Sequence, residues 1–231
     1  REVPHKQYLN EYFQGFTPGS VSRGELYNAD PVTGDARFCA TTASMCGIEA
    51  AGFEGNDEAM EVAIRKDIML HAYMLTQSGL PIIYSGDEIA QVNDYTYKDD
   101  PEKAADSRYI HRGVFPWALT QNIEKPGTVQ HELFGGLDAL ERIRHENAIF
   151  DGDAEMSIGA YGDPSILWIS RRANGRELHA IFNFSDNPRT VWMPEEDAYT
   201  NLVTGETNQV KTIDIAGWDF VWLEHEKGGA A

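Results

Sequence analysis

Gly79–Asp94 reads G-L-P-I-I-Y-S-G-D-E-I-A-Q-V-N-D, and this stretch decides the fold. Leu80–Tyr84 is an apolar run too short for a helix, introduced by a glycine and carrying Pro81 near its start. It reads as an inner strand of a parallel sheet that delivers Asp87 and Glu88 into the turn behind it. A parallel strand needs parallel neighbours, and nothing else in the first 150 residues reads as one. The expectation is the last strand of a larger sheet whose earlier strands lie outside this chain.

Working outward, Asn56 is an N-cap candidate and Asp57 and Glu58 suit the first turn of a helix. Met60, Ile64, Ile68, Ala72 and Leu75 follow as an apolar stripe spaced by three and four. Gly79 is placed to end that helix in a left-handed conformation. Helix, glycine, buried strand is the αβ step of an α/β barrel. The polar run from Gln91 to Gly127 is long enough to demand a function or short helices of its own. Thr128 then caps a second helix. Val129, Leu133, Leu137, Leu140 and Ile143 line one of its faces, and Arg142, Arg144 and His145 sit near its negative end.

Upstream, residues 1–55 mix aromatics with Gly, Pro and Asn and show short helical candidates at His5–Tyr12 and Thr41–Ala51. After Asp151 the pattern changes to short strands. Ile166–Arg171 and Glu177–Phe184 flank Asn174-Gly175, the strongest short hairpin signal, and Thr190–Met193, Lys211–Ile215 and Phe220–Leu223 add further strands. An antiparallel β-sandwich over 151–226 is the economical reading, with 227–231 as a tail.

The 231 residues, 42% of them hydrophobic, can bury a substantial core. With 19 basic against 37 acidic side chains the formal charge is -18, which argues against nucleic acid as a partner. No long apolar span suggests a membrane partner. Cys39 and Cys46 are the only cysteines. On one helix they would lie ~10 Å apart, too far for a disulfide. Free thiols fit a reducing cytoplasm, the expected location unless a leader is carried upstream of Arg1.

The G-L-P-I-I-Y-S-G-D-E run resembles the eighth strand of the (β/α)8 barrel in the α-amylase superfamily, glycoside hydrolase family 13. H-K-Q-Y-L-N at His5–Asn10, N-A-D-P-V-T-G-D-A-R at Asn28–Arg37, D-S-R-Y-I-H-R at Asp106–Arg112 and V-W-L-E at Val221–Glu224 narrow the resemblance to the amylosucrase and sucrose hydrolase branch. The resemblance implies an α/β plus all-β chain. It would hold the C-terminal part of the barrel, with part of the insertion after strand 7 (1–55), then helix 7, strand 8 and helix 8 (56–150), followed by the β-sandwich. It further implies that the nucleophile, acid/base and stabilising carboxylates lie upstream, so that the 231-residue chain alone is inactive. The expected partners are sucrose and α-glucan oligosaccharides, together with the missing N-terminal part of the same barrel; exposed faces on the chain alone would favour self-association. A sucrose hydrolase, α-glucosidase or α-amylase is the alternative within the superfamily. A non-catalytic glycan-binding or scaffold protein is the alternative outside it.

Asp87 and Glu88 are adjacent at a strand end and point to opposite sides, whereas a retaining pair must flank one bond about 5 Å apart. They read as site wall or structural support. The resemblance assigns Arg108 to the floor of a glucose pocket, paired with a carboxylate, a task suited to a planar guanidinium, with an ordinary loop salt bridge as the alternative. It assigns Arg37 to the acceptor side, with a structural pair to Asp35 as the equal alternative. His5 and Lys6 match a His-Arg pair in which Lys replaces Arg, removing bidentate contact. Arg112 and Trp117 are support or wall candidates. Tyr8, Tyr12, Phe13 and Phe16 read mainly as packing, as do Trp168, Trp192 and Trp222. The seven histidines show no H-x-x-x-H or Cys/His spacing suited to zinc, so neither metal nor cofactor is expected.

Overall fold

The computed structural model describes residues 4–226, and the 227–231 tail lies outside them. The chain divides into two compact units. One takes the chain up to Asp67 and then Ile83–Phe134; the other takes Ile68–Ile82 and the described residues from Gly135 onward.

The first unit contains helix α1 (His5–Phe13), a two-stranded antiparallel ladder of β1 (Glu25–Tyr27) and β2 (Arg37–Cys39), and helices α2 (Thr42–Cys46) and α3 (Ile48–Glu54). The helix expected over Thr41–Ala51 is broken at Gly47, whose φ of 109° no other residue type adopts easily. Cys39 closes a strand and Cys46 sits in α2, so the two cysteines do not share a helix; both are free and buried. The long stretch after Gln91 is organised by three short 3-10 turns, Thr96–Asp99, Ser107–His111 and Trp117–Asn122.

Helix α4 (Asp57–Thr76) begins as its sequence dictates, with Asn56 Oδ1 accepting from the Ala59 amide at 3.0 Å. Thr128 caps α5 (Val129–Glu146) in the same manner, its hydroxyl accepting from the His131 amide at 3.2 Å. In the second unit Met69, Ala72 and Leu75 of α4 and Leu140 of α5 are fully buried. Gly136 lets α5 approach α4 here, since a Cβ at that position would meet Ile68 Cδ1 at 2.7 Å.

Leu80–Tyr84 carries no strand in the structure, contrary to the reading as an inner strand. Leu80 is 94% and Ile82 80% exposed. A parallel strand is held by its neighbours' backbone groups, and the described residues offer it none.

The rest of the second unit is a six-stranded antiparallel sheet in the order β3-β4-β5-β8-β6-β7. Its strands are β3 (Glu155–Gly159), β4 (Ile166–Ala173), β5 (Arg176–Asn183), β6 (Arg189–Asn201), β7 (Thr207–Ile215) and β8 (Asp219–Glu226). Asn174 and Gly175 turn β4 into β5 with φ of 51° and 76°, the two positive values that a two-residue hairpin requires. The central strand β5 is buried on both faces. Leu178, Ala180 and Phe182 join Ile169, Trp222 and the residues of α4 and α5 in one core. Ile181 joins Trp168, Leu223, Val191, Met193, Tyr199 and Ile215 in the other, which gathers residues of β4, β5 and β8 with those of β6 and β7. Trp168 and Trp222 are core residues as expected. Trp192 is not: between the inward Val191 and Met193 it points out and is 60% exposed.

Candidate functional site

The first unit collects most of the polar chemistry around Tyr27. Asp106 caps the Ser107–His111 turn by accepting from the Arg108 amide at 3.0 Å. The same carboxylate receives Arg108 Nε at 2.9 Å and Nη2 at 2.7 Å, so the short-range D-S-R sequence folds into a bidentate clamp. Its guanidinium lies over the Tyr27 ring, 4.4 Å from the centroid. Ser107 Oγ donates to Leu26 O at 2.8 Å and ties this turn to β1. The Arg108 hydrogen bonds hold the Asp106 carboxyl down at about 2.

The β1–β2 register sets Arg37 directly across from Tyr27 in the backbone pairing. Arg37 is exposed. Asp35 pairs with Lys6 Nζ at 2.6 Å, so its carboxylate goes to α1 rather than to Arg37, the alternative weighed equally with an acceptor-side role, and Lys6 lies beside the Asp30–Asp35 turn. Asn10 Nδ2, donating to Gly34 O at 3.0 Å, fastens α1 to the same turn.

Next to Tyr27, an open cleft of about 470 Å³ is lined by Glu25, Asn28, Tyr97, Lys98 and Ser107. Glu25 accepts from the Tyr97 hydroxyl and pairs with Lys98 in very short contacts. Burial pushes the Tyr97 phenol up, and its hydrogen bond to Glu25 pushes in the same direction. A wall with carboxylate, ammonium, phenol and amide groups over an aromatic floor can hydrogen-bond a neutral polyhydroxy ligand from several directions.

Asp87 and Glu88 begin a 3-10 turn set between Gly86 and Ala90, both at positive φ. Glu88 Oε2 accepts from the Gly86 amide at 2.8 Å, which is a supporting contact within the turn. Tyr84 meets the edge of His111, ring centroids 5.9 Å apart. His111 escaped sequence reasoning. Its Nδ1 is buried without a partner among the described residues, and burial, then Arg112, lowers its pKa. Arg112 rests near the Tyr109 ring at 5.7 Å, and Trp117 leans on Phe115 while 74% exposed. Phe13 packs on Phe38 at 4.9 Å, whereas Tyr8 and Phe16 are largely exposed.

No protein-family model matches the chain. Glucosylglycerate phosphorylase of Escherichia coli K12 is 26% identical over 166 residues, 68% of this chain and 28% of that protein. The 1,4-α-glucan branching enzyme GlgB of Rhodopirellula baltica is 33% identical over 102 residues, 43% of this chain and 14% of that enzyme. The chain therefore spans less than a third of the length of these relatives. Among solved structures, trehalulose synthase MutB of Pseudomonas mesoacidophila MX-45 superposes with a TM-score of 0.55 at 16% identity, covering 69% of this chain and 38% of that one. AmyP in complex with maltose gives 0.59 at 17%, covering 73% and 36%.

These relatives and neighbours are enzymes of the α-amylase family, glycoside hydrolases and transferases, and this chain is related to them. Its helices and six-stranded antiparallel sheet are consistent with the C-terminal part of such an enzyme, the end of the barrel and the β domain behind it.

Proposed function

We propose that this chain supplies sugar-binding and wall residues to an α-retaining enzyme that cleaves sucrose and passes glucose to water or to an α-glucan, in the manner of an amylosucrase. The observation that carries this reading is the Arg108 clamp, held by Asp106 and stacked on Tyr27 opposite Arg37. A guanidinium fixed in this way presents its remaining N–H groups in set directions, as selective binding of sugar hydroxyls requires. Arg37, His5 and Lys6 would face the acceptor. Asp87 and Glu88 would shape the wall, while the nucleophile, acid/base and stabiliser would come from barrel strands beyond those described. The 231-residue chain alone would then not turn over sucrose. Two buried free thiols support a cytoplasmic location.

The test is release of glucose and fructose from sucrose by the 231-residue chain beside a form extended upstream through a complete barrel. Activity only in the extended form is expected, with kcat/KM reduced about tenfold or more by Arg108→Lys. Turnover by the short chain would sink the assignment. The phosphorylase relative favours a second reading, in which inorganic phosphate is the acceptor beside the exposed Arg37. Phosphate-dependent formation of glucose 1-phosphate by the extended form distinguishes it.

A further inference from the structure

The six-stranded sheet carries a cluster of titratable side chains that the sequence motifs did not single out. Glu177 and His179 lie two apart on β5 and so share a face, and the β5–β8 register puts His225 directly across from Glu177. All three are buried, at 5%, 4% and 7% exposure, and one ligand atom from each lies within 4.8 Å of the others.

His225 Nδ1 lies 3.1 Å from Asp197 Oδ2. In the neutral ring Nδ1–H donates to that carboxylate, and Nε2 then carries a lone pair. Nε2 is buried and has no hydrogen-bond partner among the described residues. A carboxylate orienting an imidazole whose other nitrogen is open is the arrangement that prepares a histidine to bind a metal. Tyr199 packs on the His225 ring with centroids 4.6 Å apart and limits its movement. We propose that Glu177, His179 and His225 form a binding site for a divalent transition metal, best suited to Zn²⁺, between the central strands β5 and β8 of the sheet.

Two imidazoles with one carboxylate favour zinc over calcium or magnesium, which prefer all-oxygen shells. Zinc-to-ligand bonds of about 2.0–2.1 Å put tetrahedral ligand atoms about 3.4 Å apart, so closure needs side-chain movements on the order of 1 Å. Arg172 Nη2 engages Glu177 Oε1 at 2.5 Å, and a carboxylate has a second oxygen to offer. His179 has two tautomers available. With Nδ1 accepting from Trp168 Nε1 at 3.2 Å, its proton sits on Nε2. With the proton on Nδ1, Ser170 Oγ, also at 3.2 Å, becomes the acceptor and Nε2 carries the lone pair a metal needs. Binding therefore moves one proton across the imidazole ring and withdraws the acceptor from the Trp168 indole. Water would complete the fourth position.

The experiment titrates Zn²⁺ into the chelator-stripped 231-residue chain by calorimetry while Trp emission is followed. About one equivalent should bind with a change in emission. His179→Gln and His225→Gln should each abolish it, Asp197→Asn should weaken it about 10–100-fold, and His145→Gln on exposed α5 should leave it unchanged. Absence of stoichiometric binding to the folded chain, or binding that survives both histidine substitutions, overturns the proposal. Should either histidine variant fail to fold by circular dichroism, Co²⁺ in the unsubstituted chain decides. Intense tetrahedral visible bands support the site, and only weak octahedral absorption refutes it.

Discussion

Arg171 is fully buried and has no carboxylate among its hydrogen-bond partners. Its guanidinium donates to Ile149 O at 2.7 Å, Thr76 O at 3.0 Å, Ser78 Oγ at 3.2 Å and Asp151 O at 2.7 Å, tying the end of α4 and the segment after α5 to strand β4. Hydrogen bonds to a charged group contribute about 1.5–3 kcal/mol each, and the carbonyls left behind would be buried and unsatisfied. Arg171→Ala should lower stability by about 3 kcal/mol or more, read from the urea midpoint. Arg171→Lys should recover only part of it, because one ammonium cannot reach the spread of acceptors that a fork spans. His111 gives a pH dependence of opposite sign to a histidine whose pKa is raised by a carboxylate partner. Its folded pKa lies below the ordinary value of 6.5, so the unfolded chain takes up the proton first as the solution is acidified. Stability should fall as pH drops below about 6.5 and level off beneath the folded pKa. His111→Gln should flatten that slope in urea titrations at successive pH values. The Asp106 carboxyl, lowered by hydrogen bonds to Arg108 rather than by burial, acts in the same sense in a more acidic window. Its contribution is complete above the ordinary 3.8 and lost as pH falls through about 2, and Arg108→Met should return its NMR titration towards 3.8.

At the level of elements, Arg144 shows how a charge read from the sequence as a helix-end residue of α5 serves another helix. It donates to Leu75 O, to Gln77 O at 3.2 Å and to Gly79 O at 2.9 Å, satisfying carbonyls at the end of α4. Arg144→Ala should speed hydrogen exchange in the last turn of α4 while leaving its Asn56-capped first turn unchanged. Local signals of this kind were legible in the chain: the Asn56 and Thr128 caps, the Asn174-Gly175 turn and the apolar stripes of α4 and α5 all depend on residues a few positions apart. What could not be read depends on pairing at a distance. Leu80–Tyr84 has the composition of a buried strand, yet composition does not supply the neighbours that would bury it. Arg37 is set across from Tyr27 only by the β1–β2 register, and Asp35 turns to Lys6 because α1 docks on its turn. Glu177, His179 and His225 are likewise gathered by the β5–β8 pairing, which the spacing of histidines along the chain does not encode.

At the scale of the whole molecule, two opposing features govern how copies of this chain meet. Leu80 and Ile82 stand 94% and 80% exposed on an unpaired apolar segment, a surface suited to pairing with the same segment of another copy. The formal charge of -18 acts against that contact through mutual repulsion over about a Debye length, about 10 Å at 0.1 M salt and about 3 Å at 1 M. Raising the ionic strength shrinks the repulsion and leaves the apolar attraction in place. Sedimentation velocity should therefore find more self-association at high salt than at low salt, the reverse of an assembly held by ion pairs. Ile82→Lys places a charge on the contact itself without disturbing a buried group, and should restore the monomer at high salt with little change in melting temperature. Association that weakens with salt, or that persists unchanged in Ile82→Lys, would locate the contact on another face of the molecule.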